Sequence, residues 1–134
     1  DCLLSRGLGD VYKRQVLKSV TKYTDNTGYT GNDSAVGDVT ATTDYFFLLS
    51  EYEVFGTISR GNTYESKKQA QYSYYSAGNS KVKYKHSETS TAVYWWLRSP
   101  VVTYSGSFTN VSTGGTLGSF SANYSLGFAP GFCV

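Results

Sequence analysis

The chain has 134 residues, with 12 basic and 10 acidic side chains and a formal net charge of +2. A balance this close to neutral creates no global field for recruiting nucleic acid or anionic lipid. No apolar run approaches the roughly 18–20 residues that a membrane-spanning helix requires.

The first fifteen residues are expected to be foreign to the domain. The stretch from Ser5 to Gln15 reads as a translated sequencing adapter. A transposase-end sequence encodes Asp10 to Gln15 in frame, and the bases upstream of it in a common adapter encode Ser5 to Gly9. So long a match in register makes coincidence a poor explanation, and segments of this kind are set aside before fold is considered. Residues 16–134 are then expected to be the C-terminal portion of one domain from a longer metagenomic gene. Residues before Val16 should make few tertiary contacts. What remains is roughly 119 residues, near the size of one domain, with nine basic and eight acidic side chains. Cys133 is the one cysteine left, which excludes an internal disulfide framework and a cysteine-based zinc site.

In chain order, Val16, Leu17 and Val20 fit the tail of a helix that begins upstream, and residues 24–43 read as a long polar loop. Residues 45–49 (Tyr-Phe-Phe-Leu-Leu) form an apolar run short enough for a buried strand. Ser50 followed three residues later by Glu53 is a capping box, predicting a short helical turn over residues 51–55. Asn62 and Glu65 repeat that spacing and predict a helix to about Ala77, ended by Gly78. Tyr64, Lys68, Tyr72 and Tyr75 would give it an aromatic, amphipathic face lying on a sheet, with rings packed and hydroxyls at the rim.

Residues 81–86 alternate lysine with valine or tyrosine, the pattern of a strand whose charged face discourages edge pairing. In residues 92–97, Val93, Trp95 and Leu97 alternate with Tyr94 and Trp96, so both faces are apolar and the strand should be central. Pro100 should end its pairing. Trp95, Leu97, Phe47 and Leu49 are expected to share one core. From Ser99 to Val134 no side chain is charged. Within that tract strands are expected near 108–111 and 116–120, and a last strand over 127–134 with Pro130 at an edge or bulge.

Three blocks carry a resemblance: Phe47–Glu51 (Phe-Leu-Leu-Ser-Glu), Trp96–Pro100 (Trp-Leu-Arg-Ser-Pro) and Gly127–Gly131. In this order they resemble an uncharacterised domain family of gut bacteria and their phages. More distantly they resemble the C-type-lectin-like fold of formylglycine-generating enzymes and of phage receptor-binding proteins. The resemblance implies an α+β fold. It would be an incomplete C-type-lectin-like domain with a small, mostly antiparallel sheet, one peripheral helix at about 63–77 and long loops. Many relatives carry arginine where this chain has Ala129, so an ion pair made there would be missing. The terminal strands of such folds pair, and the last strand here is expected to lack its partner.

Chemistry-bearing residues are few. His86 sits between lysines with no orienting carboxylate and reads as a surface residue. Cys133 reads as an inert buried thiol. Formylglycine-generating enzymes act through two cysteines, so that activity is not carried over and no catalytic residue is assigned. Arg98 is expected to make a structural pair with Glu51 or Glu53. The oxygen-rich stretch from Asp25 to Asp33 lacks the ligand spacing of a calcium loop, and no metal or cofactor is expected.

The Ser-, Tyr-, Gly- and Asn-rich tract 103–125 uses the vocabulary of binding loops, rigid aromatics among small hydrogen-bonding residues. Tyr104, Phe108, Asn110, Phe120, Asn123 and Tyr124 are the candidate ligand-binding residues, expected together and mostly exposed at one end of the sheet. The expected function is a non-catalytic binding or display domain on a bacterial surface or phage tail, facing a glycan or surface protein. Neither nucleic acid binding nor membrane insertion is expected, and the location would be extracellular, cell-surface or virion. A purely structural assembly domain is the alternative, and an enzyme of the formylglycine-generating type is the third reading.

Overall fold

A computed structural model describes residues 17–25 and 39–134, and the backbone of residues 2–4. The described chain forms small antiparallel sheets with short helical turns, an α+β arrangement. Strand β1 (Cys2–Leu4) pairs with β9 (Gly131–Cys133), β2 (Val20–Asp25) with β3 (Val39–Asp44), and β4 (Lys83–Tyr84) with β5 (Ala92–Val93). The largest sheet runs in the order β6 (Trp95–Pro100), β7 (Ser107–Val111), β8 (Leu117–Ser121). Helix α1 spans Glu51–Phe55, a 3-10 turn spans Thr63–Lys67, and α2 spans Ser73–Ser76. No helix among the described residues is long and apolar enough to cross a membrane.

The capping signal at Ser50 is fully realised. The Ser50 hydroxyl accepts from the Glu53 amide, and the Glu53 carboxylate accepts from the Ser50 amide at 2.9 Å. Gly56 closes α1 in the left-handed conformation, φ 71°, which glycine adopts without a Cβ penalty. The core is also where the hydrophobic pattern puts it. Phe47, Leu49, Trp95 and Leu97 are buried together with Val54, Tyr75, Val111 and Cys133.

Several expected elements differ. Residues 20–25 are a strand, not a helix tail, and residues 39–44 are its partner rather than loop. Both segments are rich in valine and threonine, which suit a pleated surface, and three apolar residues are too few to distinguish a helical period. The run 45–49 is not a regular strand. Phe47 alone bridges to Gly131 through two backbone hydrogen bonds of 3.1 and 2.7 Å, while Tyr45 and Phe46 are exposed.

The expected helix at 63–77 breaks into two turns. Asn62 does accept from the Tyr64 amide, but Glu65 turns into the core instead of closing the box. Beyond Lys68, Gln69 donates to the Tyr23 carbonyl and the Tyr72 amide donates to the Glu53 carbonyl. These long-range bonds replace the helical ladder. Only Tyr75 of the aromatic stripe enters the core proper, with Tyr72 packed beside it.

Strand β6 is covered differently from expectation. Trp95, Leu97 and Ser99 are buried, whereas Trp96 and Arg98 are half-buried, so the second face is only partly covered. β7 hydrogen-bonds to one edge. Along the other, the Arg98 amide donates to the Leu49 carbonyl at 2.7 Å and the Trp96 amide to the Gly127 carbonyl at 3.0 Å. The last strand does have a partner, since the register sets Cys2 opposite Cys133 and Leu4 opposite Gly131. The segment before Val16 therefore makes tertiary contact at residues 2–4. The adapter-like stretch 5–15 lies outside the described residues. Cys133 is disulfide-bonded rather than a free thiol, and Cys2 is the only other cysteine in the chain.

Candidate functional site: an aromatic face running into a cleft

Side chains alternate across a pleated sheet, and register partners share a face. Trp95, Val111 and Leu117 form one row, on the core side. The rows Trp96–Asn110–Gly118 and Pro100–Phe108–Phe120 therefore lie on the opposite face. Two tyrosines extend this outer face. Tyr94 meets the Phe120 ring edge-on at 5.3 Å, and Tyr124 stacks on Phe120 at 5.1 Å.

Tyr94 also lines a cleft of about 870 Å³ between the β4–β5 hairpin and the segment 125–129. Gly127 fixes that segment against β6. Its amide donates to the Tyr94 carbonyl at 2.7 Å, and a Cβ at this position would stand 2.9 Å from the same oxygen. Only glycine permits so close an approach. The walls carry Tyr84 and Phe128, both exposed, and the basic residues Lys83 and Lys85 beside His86. The Lys83 ammonium lies 5.5 Å from the Trp95 ring.

The structure brings most of the expected ligand residues to this region. Phe108 and Phe120 are half-buried cross-strand partners, and Asn123 and Tyr124 are exposed in the turn after β8. Tyr104 is 66% exposed in the β6–β7 loop. The Ala122 amide donates to the Gly106 carbonyl at 2.9 Å, tying that loop to the turn after β8. Asn110 differs from expectation, being fully buried. It sits mid-strand beside Gly118, whose missing side chain leaves the space, since a Cβ there would lie 2.7 Å from the Asn110 amide oxygen. Neither polar atom of the Asn110 side chain has a hydrogen-bond partner among the described residues.

Two buried polar centres link β6 to other elements. In the first, Arg98 Nη1 lies 3.2 Å from Glu53 Oε2, and Lys22 Nζ lies 2.6 Å from Glu53 Oε1. Lys22 also donates to the Tyr72 hydroxyl at 2.8 Å, and its ammonium lies 4.0 Å from the centre of the Phe47 ring. Burial pulls the Lys22 pKa down against the raising effect of Glu53, and burial also pushes Tyr72 well above the usual phenol value. Arg98 further donates to the carbonyls of Leu48 and Tyr23 and to the Gln69 side chain.

Glu51, the other expected partner of Arg98, goes elsewhere. Its carboxylate accepts from the amides of Ser59, Arg60 and Gly61 at 2.6, 3.2 and 2.8 Å. This second centre continues through Ser99, whose hydroxyl accepts from the Glu51 amide at 2.9 Å and donates to Glu65 Oε2 at 2.5 Å. Burial is the main cause that pushes the Glu65 carboxyl up to about 7. The Ser99 hydrogen bond, the Arg98 charge and the Asp25 backbone pull against it, while Glu51 adds a smaller upward push. The oxygens expected in the Asp25–Asp33 stretch lie outside the described residues apart from Asp25. No cluster of three or more metal-ligating side chains occurs among the described residues.

The cleft itself was not foreseen. Tyr84, Lys85, Tyr94 and Phe128 come together only because β4 and the segment 125–129 flank β6 in space. The one sequence signal was the lysine–tyrosine alternation of residues 81–86, which places tyrosine and lysine side by side on an exposed hairpin.

Taken together these features describe a small α+β domain whose outer sheet face and adjoining cleft are aromatic. The chain belongs to the domain of unknown function family DUF6273, which it matches over residues 8–134, including residues 8–15 of the adapter-like stretch. Comparison with curated proteins and with solved structures gave no match.

Proposed function

We propose that this domain is a non-catalytic binding module that holds a glycan on the aromatic face and in the cleft beside it. The observation that carries the reading is the continuous strip Tyr124–Phe120–Tyr94, which runs into the cleft walled by Tyr84 and Phe128. Clustered exposed aromatics ordinarily signal an interaction surface. Tyrosines offer broad, rigid contact at little entropic cost, and neighbouring Ser, Thr and Asn side chains supply adaptable hydrogen bonds. A saccharide matches both, with apolar C–H faces for the rings and hydroxyls for the polar groups. The proposed setting is a bacterial surface or a phage tail-associated protein, and the proposed fold relationship is to C-type-lectin-like domains. An enzyme of the formylglycine-generating type would need a cysteine at its site, and no described residue lining the cleft is one.

The test is a glycan array probed with the purified chain and with Tyr94→Ala and Tyr124→Ala. Selective retention that both variants lose, at unchanged melting temperature, supports the reading. No retention, or retention indifferent to the variants, overturns it. A purely structural assembly role is the second reading, favoured by β8, which ends its sheet and carries no charged residue to deter edge pairing. Sedimentation showing a stable oligomer that hides the aromatic face would move the conclusion there.

A further inference from the structure

We infer that the saccharide taken by the cleft is anionic, carrying a carboxylate or sulfate beside sugar rings that stack on the aromatic strip. This rests on the binding reading above and adds the ligand's charge to it. The charged side chains lining the cleft are Lys83 and Lys85, with His86 between them and the turn. No aspartate or glutamate is among its described lining residues. The 125–129 wall, like all of the chain from Ser99 onward, contributes no charge of either sign. The one other charged side chain after Glu88 is Arg98, which is held inward by Glu53. A chain that is close to neutral overall thus gathers basic groups at the rim of this cleft.

The two basic positions play different parts. Lys83 already has partners, the Trp95 ring at 5.5 Å among them, so the charge offered to a ligand is that of Lys85. Lys85 is exposed at the rim, on the hairpin whose return the Lys85 amide closes by donating to the Thr91 carbonyl at 3.0 Å. Low-dielectric aromatic walls strengthen the field of such charges at a bound anion and focus it into the concavity. Lysine ammonium groups serve carboxylates and sulfates as point charges without demanding a planar fork. An anionic group near Lys85 with its sugar ring on Tyr94 or Phe128 satisfies both the charge and the stacking surfaces.

The test compares, by calorimetry on the whole chain, a uronic-acid oligosaccharide, a sulfated one and a neutral one of equal length. At low salt the better anionic ligand should bind about tenfold or more tightly than the neutral one, the size of one charge-assisted hydrogen bond. Raising salt to about 0.5 M should erase most of that preference, because screening acts on exposed charges. Lys85→Gln should reduce the preference while leaving the melting temperature unchanged. Equal affinity for neutral and anionic ligands overturns the charge assignment and leaves the binding module standing. A preference that survives both high salt and Lys85→Gln also overturns it. Failure of all three ligands to bind overturns the binding reading and this inference with it.

Discussion

Arg98 Nη1 and Glu53 Oε2 lie 3.2 Å apart, joining β6 to the first turn of α1 through a contact that is almost wholly buried. The same carboxylate holds Lys22 of β2 and caps its own helix, so one glutamate links three elements. Removing one partner of a buried pair leaves the other charge uncompensated, which typically costs about 3–5 kcal/mol. Arg98→Ala should fall toward the lower end, about 3 kcal/mol, because Lys22 stays with Glu53. Arg98→Lys should recover little, since an ammonium cannot reach the Leu48 and Tyr23 carbonyls and the Gln69 side chain together. Urea denaturation of the three proteins checks this, and full rescue by lysine would show that charge alone matters.

Glu65 should make stability depend on pH in an unusual direction. Folded, its carboxyl keeps a proton to about pH 7, whereas the unfolded chain releases it near the ordinary glutamate value of 4.5. Between those values the native state binds the extra proton. Its stabilising effect is therefore complete below about 4.5 and is lost as pH rises through about 7. The loss is of order 3 kcal/mol. Glu65→Gln imitates the protonated form and still accepts from Ser99, so it should flatten this part of the profile and exceed the wild type in stability at pH 8. Parallel profiles for the two proteins would contradict the assignment.

The aromatic residues divide into packing and display. Trp95 is 1% exposed and its ring N–H donates to the Lys81 carbonyl at 2.9 Å. Trp95→Ala should cost about 3–5 kcal/mol. Tyr104 and Tyr124 stand more than half exposed, and their alanine variants should change stability by less than about 1 kcal/mol. Thermal melts of the three variants check the contrast. Losses at the tyrosines comparable to that at Trp95 would assign them to packing.

The legibility of this fold in its sequence was uneven. Local signals survived where nothing distant competed with them. The Ser50–Glu53 capping box, the alternating strand around Trp95 and the turn-bounded strands β7 and β8 all appear at their expected places. The Asn62–Glu65 box failed because Glu65 has a better partner in Ser99, 34 residues away, which no local window contains. The β2–β3 pair was missed because threonine-rich segments look like polar loop until their partner is known. Of the candidate site, the nearness of Phe108, Phe120 and Tyr124 was readable from turn spacing, whereas the exposure of Tyr94 was not, because alternation predicted that both faces of its strand are covered. Asn110 was misplaced because its burial depends on Gly118 across the strand, and the cleft depends on chain segments that meet only in space.

The central claim is that the outer aromatic face and its cleft are a ligand surface. Amide chemical-shift mapping of the isotope-labelled chain, titrated with an oligosaccharide retained on the array, tests it most directly. Perturbations should concentrate at residues 84–86, at Tyr94, and across 120–128, leaving Lys22, Glu53 and Tyr72 unmoved. Shifts confined to the separate pocket lined by Lys68 to Ser73 would place the ligand elsewhere and contradict the account.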